Sequence, residues 1–262
     1  MTDALELQDV PRIPLGFFDE VADSGGKSGP RPVVFVHGFL GNPGQFDTMK
    51  ARYAAAGYDR TQLRHWGWES SYDPFSEAGK RTLSALGKGL AWAINDAYGT
   101  GTQVDIVAHS MGSLLARFAV KYGDADDHIA PLHSQVVHCV SLAGPNHGAK
   151  NEWLRLFGET GFVGHQLFDV TPGSEFLKFI NQSPEVSSGT KWLTYRTPGD
   201  EEVDEDSVPL NGADNRRTDL RSNAPQGGSD PVHNSFLTDA PVTKDVIAFL
   251  SQEARTSADL GT

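Results

Sequence analysis

The sequence predicts an α/β fold: one mostly parallel central sheet flanked by helices, interrupted by a small cap-like insertion. Three observations predict it. Short apolar runs such as 33–36, 104–108 and 136–140 read as strands buried on both faces. Stretches of helical apolar spacing separate them, and strands alternating with helices pair in parallel. Twenty-eight glycines and 15 prolines suit a loop-rich enzyme better than a helical bundle.

Composition narrows the possibilities. A chain of 262 residues could hold one large α/β domain or two small ones, and 38% hydrophobic residues with 14 phenylalanines supply a substantial core. Strand–helix alternation on both sides of residues 149–190 favours one domain over 31–254, with 1–30 as lead-in and 255–262 as tail. Thirty-four acidic against 22 basic side chains give a formal charge of −12, which argues against nucleic acid and against tight docking on anionic lipid. The lone Cys139 excludes an internal disulfide framework and lies in an apolar run. No stretch approaches the apolar length needed to cross a bilayer. Residues 1–10 have neither a basic nor an apolar region, so no signal peptide is expected. A cytoplasmic protein and a secreted one with its signal removed both fit, and oligomeric state is open, a monomer included.

Taken in order, the lead-in contains Gly26-Lys27-Ser28, which lacks the upstream glycine and the strand of a phosphate loop. Residues 31–36 form a buried strand that runs into His37-Gly38-Phe39-Leu40-Gly41-Asn42-Pro43, then a helix around 45–56. Residues 62–68 form the next strand, where Trp66 and Trp68 either line a pocket or pack beside the core. A long amphipathic helix is expected over 74–98, with Leu83, Leu86, Leu90, Ala93 and Ile94 on one face. A strand at 135–143 ends in Gly144-Pro145-Asn146-His147-Gly148. Residues 149–190 break this rhythm and concentrate apolar bulk, Phe157, Phe162 and Phe168 included, before a capped helix over 171–181. We read them as a cap, with an ordinary helical crossover as the alternative. A strand at 191–196 and a last helix over 239–254 complete the chain.

The stretch at 104–115 organises the rest. A buried strand ends at Ala108, a buried helix opens at Met111, and Ser110 sits between them with small residues, Ala108 and Gly112, two positions to either side. A turn this tight tolerates no bulk, lifts the serine oxygen out of the sheet and sets it over a helix N-terminus that favours negative charge. It resembles the nucleophile elbow of α/β-hydrolases, with Ala108 in place of the first glycine. The resemblance extends to His37-Gly38-Phe39, to 144–148, to Gly199-Asp200 and to His233, over roughly 31–250. Together these look like a small bacterial triacylglycerol lipase or carboxylesterase.

The resemblance implies an oxyanion hole built from the backbone N–H groups of Phe39 and Met111, with His37 as a structural residue that holds the loop. A serine hydroxyl needs an adjacent base, and the base an orienting carboxylate. In this fold the chain order is serine, acid, histidine, which leaves His233, on a loop before the final helix. Asp200 follows the strand-ending Gly199 and is the expected acid; Asp204 is second, and Glu202 and Asp206 compete. Asp230 is expected to shape the His233 loop, and Asp105 to point away. The acidic run at 200–206 reads as a solvated loop rather than a metal site. No metal and no organic cofactor is needed for the chemistry implied.

The expected activity is cleavage of medium- to long-chain acyl or lipid esters through an acyl-enzyme, with Leu40, Trp66, Trp68, Phe157, Phe162 and Phe168 as candidate pocket residues. Rival readings are a polyester- or cutin-degrading esterase, an acyltransferase on the same residues, and, last, a binding module without catalysis. The expected partner is a small-molecule, lipid or polymer ester.

Overall fold

In the computed structural model, residues 16–18, 30–150, 164–223 and 231–253 are described. The strands are β1 (Gly16–Phe18), β2 (Val33–Val36), β3 (Leu63–Trp68), β4 (Val104–His109), β5 (Val136–Leu142), β6 (Lys191–Arg196) and β7 (Asp214–Arg217). The helices are α1 (Asp47–Ala55), α2 (Leu83–Tyr98), α3 (Gly112–Tyr122), α4 (His165–Asp169), α5 (Glu175–Ile180), α6 (Pro231–Asn234) and α7 (Ala240–Leu250). The strands join in one sheet of order β1-β3-β2-β4-β5-β6-β7. All neighbours pair in parallel except β1, which is antiparallel to β3. The α/β architecture expected from the sequence is therefore the one observed.

Alternation along the strands explains the two-sided burial. Val34, Val36, Ile106 and Ala108 face a core shared with α2 and α3. Val33, Phe35, Val107 and Leu142 face the other, shared with α1 and α7. Strands covered on both faces read as unbroken apolar runs, which is why β2, β4 and β5 are legible in the sequence. The helix α3 lies directly behind the elbow and buries nearly its whole circumference, from Gly112 to Val120. Gly87 of α2 lets it come close, since a Cβ there would meet that of Phe118 at 2.6 Å.

Several boundaries differ from expectation. The long helix begins at Leu83, not at 74, because Asp73, Ser76 and Gly79 form linked turns first: Asp73 accepts from Phe75 N–H at 2.9 Å and Ser76 Oγ from Gly79 N–H at 2.9 Å. Thr82 then caps the helix by accepting from Ala85 N–H. Likewise α5 starts after Ser174, whose hydroxyl accepts from Leu177 N–H. The last helix is capped by Asp239 and ends at Leu250. The short strands β1 and β7 were not anticipated; three and four residues long, with β7 made of Asp-Asn-Arg-Arg, they carry no apolar run. Residues 151–163, with Phe157 and Phe162, lie outside the described residues, as does Asp230. No helix among the described residues is long and apolar enough to cross a membrane.

Candidate active site

Parallel strands end on the same edge of a sheet, and the segments leaving β2, β4, β5 and β6 meet there. Ser110 follows β4 directly with φ of 54°, a left-handed conformation rare for a residue with a side chain. The turn is held by two hydrogen bonds: Ser110 N–H donates to Leu142 O at 2.8 Å, and Ser113 N–H to Ser110 O at 2.9 Å. Ser110 is buried, with 8% of its surface exposed. Met111 stands at the N-cap of α3, so its N–H belongs to a first turn that has no intrahelical acceptor.

The loop after β2 comes against this turn. A Cβ on Gly38 would lie 2.7 Å from Ser110 Cβ and 3.3 Å from His109 O, so only glycine permits the approach. On the other side, a Cβ on Gly112 would lie 2.4 Å from His37 O. The backbone of His37 and Gly38 is thus packed against both the serine and the first residue of its helix. His37 fixes it there. Trp68 N–H donates to His37 Nε2 at 3.2 Å, which puts the ring proton on Nδ1, 2.7 Å from Gly38 O. Trp68 also stacks on the ring and donates its indole N–H to His37 O at 3.0 Å. Burial lowers the His37 pKa to about 4, so the imidazole is neutral at ordinary pH.

Asp200 and His233 meet as a buried pair. Asp200 Oδ2 is 2.8 Å from His233 Nδ1, and the side chains are each 2% exposed. Asp200 Oδ1 accepts from the N–H groups of Glu202 and Val203 at 2.9 and 2.8 Å. Burial alone would raise this carboxyl, but the His233 hydrogen bond, the imidazole charge and these two amides outweigh it and hold the pKa below its usual value. Of the competing carboxylates, Asp204 pairs with Lys150 at 3.5 Å and Asp206 lies 3.9 Å from Arg196. Glu202 does approach the ring, its Oε2 3.5 Å from His233 Nε2.

His109 joins the two halves. Its Nε2–H donates to the carbonyl of His233 at 3.0 Å, and the rings lie 4.7 Å apart. Burial, then the neighbouring His233, lowers the His109 pKa to about 3, so it serves as a neutral donor. The backbone of His233 is therefore anchored to the residue beside Ser110. The sequence reading passed over His109, although its place inside the elbow was a usable signal.

Segment 144–150 buttresses the acid loop. Asn146 donates to Val208 O at 2.6 Å, His147 N–H to Ser207 O at 3.0 Å, and Lys150 N–H to Glu202 O at 3.0 Å. Arg117, buried in α3, donates to Asn181 Oδ1 at 2.8 Å and reaches the carbonyls of Asn146, Ile180 and Glu185 at 3.4 Å. Asp105 lies away from the site, as expected, bound to Arg31 and to His138 Nδ1. Among the described residues no group of three or more His, Cys, Asp or Glu side chains could hold a metal.

Of the expected pocket residues, Trp66 is fully buried in the core and Trp68 nearly so, and both have packing roles. Leu40 and Phe168 are 53% and 56% exposed. Their segments are tied together through 70–79: Leu40 N–H donates to Ser70 Oγ at 2.7 Å, and His165 N–H to Gly79 O at 2.8 Å.

Fold and family together define a carboxylic ester hydrolase of the α/β-hydrolase type. The class 2 lipase family model matches residues 30–208, and the chain belongs to that family. Its fold is similar to that of mature BlEst2, a Bacillus licheniformis lipase, with a TM-score of 0.61 at 18% identity over 90% of this chain and 98% of that one. Aspergillus fumigatus lipase B gives a TM-score of 0.64 at 18% identity over 93% of this chain and 59% of that one. The Exiguobacterium antarcticum esterase EaEST gives 0.52 at 14% identity, over 90% and 96%. No curated protein sequence matches the chain.

Proposed function

We propose that the protein hydrolyses carboxylic esters of medium- to long-chain acyl groups through an acyl-enzyme on Ser110, with His233 as base and Asp200 as its orienting acid. The observation that carries this reading is the buried Asp200–His233 contact of 2.8 Å, on a histidine whose backbone is tethered to His109, next to the serine. Ser110 Oγ attacks the ester carbonyl while His233 Nε2 takes its proton. Asp200 stabilises the imidazolium, and the developing oxyanion accepts from the N–H groups of Phe39 and Met111. The imidazolium returns the proton to the leaving alcohol. A water, deprotonated by the same nitrogen, then attacks the acyl-enzyme and releases the acid.

The seat of Gly38 against Ser110 supports the oxyanion assignment, because it sets the backbone after β2 beside the attacked carbon. Exposed Leu40, on that backbone, and exposed Phe168, on a segment tied to it through 70–79, support apolar acyl chains. A fluorophosphonate probe should label the protein once, on the peptide containing Ser110, and leave Ser110→Ala unlabelled. Labelling elsewhere, with Ser110 untouched, would refute the nucleophile. Rates across p-nitrophenyl esters should peak at medium or long chains, and a maximum on acetate would contradict the chain-length reading.

A further inference from the structure

This inference rests on reading Ser110, Asp200 and His233 as the catalytic set. His233 meets a carboxylate at each ring nitrogen: Asp200 Oδ2 at 2.8 Å from Nδ1, and Glu202 Oε2 at 3.5 Å from Nε2, the atom that must receive the serine proton. A neutral imidazole has one N–H. With that proton given to Asp200, Nε2 presents a lone pair, which repels an ionised carboxylate. Only the doubly protonated ring satisfies both acids. We propose that Glu202 is a positioning residue, a second carboxylate partner that stabilises the His233 imidazolium and sets the pH above which the site works as a base.

The surroundings leave Glu202 able to act. Its side chain is 19% exposed, so water screens it only in part. It also lies near the Tyr72 hydroxyl, whose pKa is pushed up first by burial and then by Glu202. Among the described residues, the other groups facing the ring are Asp200, on the same loop, and His109, from the end of β4. His109 is neutral at working pH, and so is His37 beyond it. Lys150 sends its ammonium to the Asp200 carbonyl and to Asp204, and its N–H to the Glu202 carbonyl, so the loop's main chain is braced at both Asp200 and Glu202.

The imidazolium forms in the free enzyme in acid and again in the transition state at neutral pH. A carboxylate that stabilises both equally raises the acid limb of kcat/KM and lifts the plateau by the same factor. Rates below the limb are then unchanged.

The test is the pH profile of Glu202→Gln against the parent protein on a soluble ester. The acid limb should move down by about one pH unit and the plateau fall by up to about tenfold, with the curves converging in acid. Glu202→Asp, with its carboxylate drawn back by one methylene, should fall between them. The NMR titration of the His233 ring should drop by the same interval, a readout that does not depend on turnover. An unmoved limb and an unmoved titration in folded Glu202→Gln overturn the proposal. Wild-type turnover in Ser110→Ala would instead overturn the catalytic set on which it stands, so the two failures are distinct.

Discussion

His109 gives its Nε2–H to the main-chain carbonyl of His233 at 3.0 Å, across 124 positions of sequence. The residue that precedes the proposed nucleophile thus carries the backbone of the proposed base, and any slack there is passed to the imidazole. His109→Phe keeps an aromatic ring but leaves the buried carbonyl without its donor, at a cost of about 1–3 kcal/mol. We expect a lower melting temperature and a kcat reduced about tenfold or more, with a smaller change in KM. Thermal unfolding and steady-state kinetics on one preparation check both. Unchanged kcat would mean that the tether does not position the base.

Asp200→Asn should retain the fold and lose about three to four orders of magnitude in kcat, because an amide neither fixes the ring tautomer nor stabilises its charge. Asp204→Asn, which removes one of two partners of the Lys150 ammonium, should stay within a few-fold of the parent. Ester hydrolysis by the two variants side by side decides between the acids. A larger loss in Asp204→Asn would reverse the assignment.

Gly38→Ala would put a methyl 2.7 Å from Ser110 Cβ. The loop must retreat, taking the Phe39 N–H with it. Overpacking of this kind costs typically about 1–3 kcal/mol of stability. The expected kinetic result is a fall in kcat by about 10²-fold or more, the cost of removing one oxyanion donor. A variant that is active and as stable as the parent would show that the loop does not touch the serine.

Acid should destabilise the fold through buried histidines. Burial holds the pKa values of His37, His65 and His109 at about 4, 3 and 3, against 6.5 for the ordinary side chain. The unfolded chain therefore binds more protons between those limits. The stability these neutral rings contribute is fully present above pH 6.5 and is lost as pH falls through the window towards 3–4, at up to about 1.4 kcal/mol per pH unit for each. Melting temperatures measured from pH 7 to 4.5 should fall steadily, and less steeply in His65→Phe. A flat profile would contradict neutral burial.

What the sequence reveals follows the physics of each element. Strands β2, β4 and β5 are buried on both faces, so burial writes them as apolar runs; β1 and β7 lie at the sheet's edges, where a partner on one side suffices and composition carries no mark. The elbow is legible because Ala108, Ser110 and Gly112 meet a local steric demand within five residues. The pairing of Asp200 with His233 is long-range, and only the chain order of a recognised fold leads to it. Glu202 was visible as one acid among several, but its approach to Nε2 depends on the turn in which Asp200 accepts from its N–H, and spacing does not disclose that. The helix expected from residue 74 failed for a local reason too, since turns formed by Asp73 and Ser76 compete with helical hydrogen bonds.

The central claim is that residues 110, 200 and 233 form one ester-cleaving unit, and the turnover of Ser110→Ala on a p-nitrophenyl ester tests it most directly. With folding verified by circular dichroism, the account predicts a kcat lower by about six orders of magnitude, in line with the loss of a catalytic serine elsewhere. A folded Ser110→Ala that turns over at the parent rate would contradict it.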